Sequence, residues 1–163
     1  ELSIQNGYAI ELDVQMSSDG VLVCYHDDNL NRVCGVDKDI AEMTSEEVSG
    51  LRLKETEEKI PLFTEVLEVL GGVPVSCEIK TNGAEFDSGF LEGVYQTLKD
   101  YKGNFNVISF NPFVLEWFKG QIDQRVNYDP NYTMYVASSM RDSEPWFKHF
   151  GFDEKESNHY ANL

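Results

Sequence analysis

The chain has 163 residues, 41% of them hydrophobic, which is enough for one sizeable core and too few for two comfortable domains. Its 29 acidic residues against 13 basic ones leave a net charge of −16, which argues against nucleic acid or an anionic membrane surface as partner, since both would be repelled at long range. An anionic substrate would need a bound cation, or a local cluster of Lys and Arg, to be held here.

The opening ELSIQNG reads as the last turns of a helix with Gly7 as its stop. Residues 8–15 form a predicted strand and 21–25 a second, joined by a hairpin-like turn at Ser18-Asp19-Gly20. Residues 29–59 are polar and read as a loop-rich insertion with one short helix from Thr44, where Thr44 and Glu47 stand at capping-box spacing. Pro61 opens a predicted helix carrying Leu62, Val66, Leu67 and Leu70, and Gly71-Gly72 ends it. A strand over 73–80, a helix over 87–102, a strand over 106–110, a helix over 112–119 and a short strand over 125–128 follow. The stretch 129–163 loses this rhythm and has no assigned role. Strands apolar on both faces that alternate with helices predict an α/β fold, a parallel sheet covered by helices, as one domain over 1–163.

No apolar run approaches the roughly 18 to 20 residues that span a bilayer, and nothing at the start resembles a signal peptide. The odd set Cys24, Cys34 and Cys77 reads as buried thiols rather than a disulfide framework, so a soluble, cytoplasmic protein is expected.

Charged residues inside the apolar strands carry the chemistry. Positions i and i+2 of a strand face the same way, so Glu11 and Asp13 project together while Ile10, Leu12 and Val14 face the helices. Adjacent carboxylates repel unless a proton or metal joins them, and a hard divalent cation prefers such oxygens. A solvated face of an edge strand is the plain alternative. The pattern recurs at SCEIK, where Glu78 and Lys80 share a face at a strand end, as a further part of the site or as a surface ion pair. His26, after VLVCY and before Asp27-Asp28, stands at a strand end where a general acid or base would fit, although a lone His in a turn is often merely polar. Cys24 shares its parity, but no second Cys/His pair supports zinc. His149 and His159 have weak surroundings, and no P-loop or dinucleotide fingerprint occurs.

The ordered segments GYAIELDVQMSSDGVLVCYHDDNLNR, IPLFTEVLEVL and CEIK strongly resemble the glycerophosphodiester phosphodiesterase family, and VISFNPFVLEWFK resembles its next strand and helix. The resemblance implies a (β/α)8 TIM barrel whose divalent metal, Ca2+ or Mg2+, is held by Glu11, Asp13 and Glu78. It further implies that His26 is one of two catalytic histidines and that Lys80 holds the phosphate. The implied substrates are small-molecule glycerophosphodiesters, cleaved to glycerol 3-phosphate and an alcohol. The family's His-Arg motif on the first strand and the motifs of its closing strands do not occur, so the barrel is expected to be incomplete in this chain and inactive by itself. Two other readings remain open: a related barrel enzyme of the sphingomyelin-cleaving phospholipase D type, and a non-catalytic metal-binding or interaction protein on the same fold.

Overall fold

The computed structural model describes residues 2–81, 86–124 and 135–136. A short helix α1 (Leu2–Gln5) ends where Gly7 takes a left-handed φ of 72° and donates to the Ile4 carbonyl at 3.1 Å. The chain then enters β1 (Ile10–Met16), turns, and returns antiparallel as β2 (Leu22–Cys24), with Val14 opposite Cys24 and Met16 opposite Leu22. The turn is held by Gly20 at φ 84° and by the Asp19 carboxylate, which accepts from Ser17 Oγ at 2.6 Å and from the Ser45 amide at 2.8 Å.

Six further elements build the rest of the sheet and its cover. α4 (Phe63–Leu70) leads to β3 (Val75–Ile79), α5 (Ser88–Lys99) to β4 (Phe105–Ser109), and α6 (Pro112–Gln124) precedes β5 (Tyr135–Val136). The strand order is β2-β1-β3-β4-β5, and every pairing except β1 with β2 is parallel. Leu12, Val14, Val75, Cys77, Ile79, Phe105 and Val107 turn one face of the sheet into a continuous apolar layer. Phe63, Leu91, Val94, Leu98, Val114 and Phe118 from the three helices close over it, with Trp117 and Phe118 packed edge-on at 5.0 Å. The α/β class expected from strand-helix alternation is thus observed.

The strands shift by one or two residues at their ends, and three helix boundaries differ from expectation. Pro61 does not open α4: its carbonyl accepts from the Cys24 amide at 3.0 Å and Leu62 bridges Val23, so this dipeptide is extended against β2 and the helix starts at Phe63. The helix predicted to reach Lys102 ends at Lys99, because Tyr101 is drawn aside to donate its hydroxyl to the Val73 carbonyl at 2.6 Å. α6 continues beyond the predicted Lys119 to Gln124.

Residues 29–59, expected to be loop-rich with one helix, carry α2 (Asn31–Cys34), a 3-10 turn (Ile40–Glu42) and α3 (Ser45–Ser49). They also enclose a second core of Leu30, Ile40, Met43, Val48 and Ile60 against Val23 and Tyr25. The capping box at α3 is present: the Glu47 amide donates to Thr44 Oγ1 at 3.3 Å and the Thr44 amide to Glu47 Oε2 at 2.8 Å. β5 is a strand in the stretch 129–163 that had no assigned role. The strand predicted over 125–128 and both His149 and His159 lie outside the described residues. Among the described residues no helix is long and apolar enough to cross a membrane.

Candidate metal and phosphate site

The face of the sheet opposite the helices is polar. Register sets it: Glu11 pairs with Ser76 and Asp13 with Glu78 across β1 and β3, and Ser76 pairs with Asn106 across β3 and β4. Alternation then puts Glu11, Asp13, Ser76, Glu78 and Asn106 on one surface, where Asn106 Nδ2 donates to Ser76 Oγ at 3.1 Å.

One carboxylate oxygen from each of Glu11, Asp13 and Glu78 lies within 4.8 Å of the others. Lys80 completes the group: its Nζ stands 3.0 Å from Asp13 Oδ1 and 2.7 Å from Glu78 Oε1, with the three side chains only 16%, 13% and 12% exposed. The buried Glu78 Oε1 has the Lys80 ammonium as its charge partner. Burial opposes the Lys80 charge, yet its bonds to Glu78 and Asp13 outweigh that and raise its pKa. Glu11, the most exposed of the acids, has its carboxyl pushed up by partial desolvation first, then by the charges of Asp13 and Glu78. Lys80 and His26 pull it back. The donor set suits a hard divalent cation: three carboxylates on two neighbouring strands, each offering an oxygen to the same small volume.

Lys80 is held beyond the end of β3 by its neighbours. Its amide donates to the Val14 carbonyl at 3.1 Å, and Ser109 Oγ donates to the Ile79 carbonyl at 2.9 Å. Ser109 is buried, and so is Asn111, whose Oδ1 accepts from the Phe113 amide at 3.0 Å at the start of α6 and whose Nδ2 reaches Thr81 Oγ1 at 3.2 Å. The Phe110 ring, half-exposed, lies 5.8 Å beneath the Lys80 ammonium. Neither Ser109 nor Asn111 had been singled out, although Asn before Pro112 is a helix-start signal.

His26 follows β2 and is 72% exposed. Its Nδ1 is 2.8 Å from Asp27 Oδ1, and Arg32 grips that same carboxylate through Nε at 2.6 Å and a terminal nitrogen at 2.9 Å. Arg32 first, and His26 second, hold the Asp27 carboxyl far below the usual carboxylate range. Among the described residues no ion pair joins His26 to the three carboxylates. Burial pushes the Cys24 thiol up to about 12, and the three-carboxylate cluster is formed without Cys24 or His26.

Three carboxylates and a lysine thus meet on the polar face of a mostly parallel sheet, the side on which α/β folds place their sites. Residues 3–143 match the glycerophosphoryl diester phosphodiesterase family, and the chain belongs to that family. A glycerophosphodiester phosphodiesterase of Caldanaerobacter subterraneus is 34% identical over 116 residues, covering 65% of this chain and 47% of the relative. The rat glycerophosphodiester phosphodiesterase 1 is 28% identical over 151 residues, covering 86% of this chain and 45% of its own length. The chain therefore spans about half the length of the curated relatives it matches. Among solved structures, an Oleispira antarctica phosphodiesterase in complex with the product sn-glycerol-3-phosphate superposes with a TM-score of 0.71 at 25% identity, over 93% of this chain and 64% of that one. The Thermotoga maritima glycerophosphodiester phosphodiesterase gives 0.61 at 25% identity, over 97% and 80%.

Proposed function

We propose that this chain carries the cation- and phosphate-binding part of a phosphodiesterase that hydrolyses glycerophosphodiesters to glycerol 3-phosphate and an alcohol. The observation that supports it most is the convergence of one oxygen each from Glu11, Asp13 and Glu78 within 4.8 Å, beside the Lys80 ammonium. The family of the chain, and the product bound by its Oleispira antarctica relative, favour the same substrate class. The sheet is read as part of a (β/α)8 barrel, in one partial domain over 1–163, with the polar face turned to the barrel axis. Three free thiols suit a reducing, cytoplasmic setting.

Glu11, Asp13 and Glu78 would hold a divalent cation, Ca2+ or Mg2+. Such an ion, when bound, offsets the charge of the diester and polarises a phosphoryl oxygen. The protein's own groups do the rest. Lys80 places a point charge against the phosphate oxygens, and its pairing with Asp13 and Glu78 keeps it protonated until substrate arrives. The Asp27 contact engages His26 Nδ1, which leaves Nε2 to move the proton of the attacking hydroxyl or of the leaving alcohol.

Calorimetry with Ca2+ and Mg2+ tests the cation site: wild type binds, while Glu11→Ala and Glu78→Ala both lose affinity, and unchanged affinity in the two variants would sink the cluster. Assay of the full-length gene product on glycerophosphocholine and on sphingomyelin tests the substrate class. Turnover of sphingomyelin alone would transfer the chain's activity to the phospholipase D type, and no turnover with metal bound would favour a binding role.

A further inference from the structure

Gln15 lies on β1 two residues beyond Asp13, on the face that carries Glu11 and Asp13, and both N–H groups of its amide are committed. Nε2 donates to the Tyr25 carbonyl at 2.8 Å and to the Asp27 carbonyl at 2.8 Å, the two residues that flank His26. A third bond parallels these, from the Tyr25 amide to the Asp13 carbonyl at 3.1 Å. The turn bearing His26 is thereby suspended from the same strand as two of the carboxylates. The ion pairs around the ring are solvent-facing, with His26 and Arg32 side chains 72% and 65% exposed, so they hold the ring weakly. The partly buried amide bonds fix the backbone instead.

We infer that Gln15 is a positioning residue, which sets the distance and direction of His26 relative to the Glu11–Asp13–Glu78 cluster. The inference rests on the phosphodiesterase reading for its activity readout, and on geometry alone for its structural one. Gln15 is not part of the three-carboxylate cluster, and its amide donors go to backbone carbonyls. Its effect is to keep the proton-transferring imidazole in register with the bound phosphate, where a displacement of about 1 Å can cost on the order of 100-fold in rate.

The test is Gln15→Met, which keeps side-chain length and removes both donors, made in the full-length gene product. The expected outcome is a kcat lower by about ten-fold or more, with KM for glycerophosphocholine and the Kd for Ca2+ within about two-fold of wild type. In the same variant, nitrogen-relaxation order parameters should fall at the His26 and Asp27 amides and stay level at Glu11 to Asp13. An unchanged kcat overturns the inference, and so does a parallel loss of Ca2+ affinity, melting temperature and kcat, which marks a merely structural role. If wild type hydrolyses no glycerophosphodiester, the phosphodiesterase reading fails separately. The relaxation measurement then decides Gln15 by itself: unchanged order at His26 in the variant overturns the assignment.

Discussion

Asp13 and Glu78 are register partners on adjacent parallel strands, and a single ammonium, that of Lys80, lies 3.0 Å from the first and 2.7 Å from the second. One positive charge thus answers three carboxylates, and Glu11, already disfavoured as an anion by partial desolvation, also carries the surplus repulsion of Asp13 and Glu78.

That surplus has a sign that can be measured. Glu11 is held more protonated in the folded chain than its ordinary value of 4.5 allows, so its ionisation costs stability as pH rises through that window, and the cost persists at neutral pH. In chelator at pH 7, Glu11→Gln should melt higher than wild type by a degree or two, on the order expected for a largely exposed group. The gain should vanish below about pH 4.5 and reverse in saturating Ca2+ or Mg2+. A Glu11→Gln chain that melts lower in chelator at pH 7 would contradict the repulsion.

Asp19 behaves in the opposite sense. Hydrogen bonds from Ser17 first, then Ser45, lower its carboxyl from 3.8 to about 2. A depressed folded pKa contributes stability above the unfolded value and loses it as pH falls from 3.8 towards 2. The difference in melting temperature between wild type and Asp19→Asn should therefore be constant above about pH 5 and shrink through that acid window. A difference independent of pH would mean that the hairpin clamp is not electrostatic.

The second core reaches the site through β2. Ile40 is fully buried among Met43, Val48 and Ile60, against Val23 and Tyr25, the second of which immediately precedes His26. Ile40→Ala should cost about 2 to 5 kcal/mol in denaturant unfolding. It should also shift the backbone resonances of Tyr25 and His26, while those of β4 stay in place. A loss below about 0.5 kcal/mol, the range of surface substitutions, would show that the segment does not pack as a core.

Thiol reactivity checks the sheet from its apolar side. Burial pushes Cys24 to about 12 and Cys77, fully buried, well above its ordinary value, and it also raises Cys34. A disulfide reagent at pH 8 should label less than one thiol per native chain within minutes and all three after unfolding. Rapid native labelling of Cys77 would place it outside the core.

The strands were legible because their signal is local. Alternation in IELDV and VSCEI fixes which residues share a face, and it put Glu11 with Asp13 and Glu78 with Lys80 before any pairing was known. The pairing of Asp13 with Glu78 was not legible, since register is a relation between distant segments. Gln15 escaped notice because a polar residue at a strand end reads as surface; its meaning lies in two carbonyls beyond a turn. The insertion's core was hidden for a related reason. Leu30, Ile40, Met43, Val48 and Ile60 follow neither a helical nor a strand period, and each reaches the same cluster from a different turn. β5, with two residues, is too short to carry a pattern.

The split origin of the carboxylates bears on how the chain folds. Glu11 and Asp13 precede the whole insertion and α4, while Glu78 follows them, so the trio exists only once β1 and β3 have met across that long loop. A slip of one residue would set Glu78 opposite Leu12 or Val14 and rotate it towards the helices. If the proposed cation site forms, cation affinity during refolding reports on register: it should appear late, with the parallel pairing, and be silent for every misaligned state.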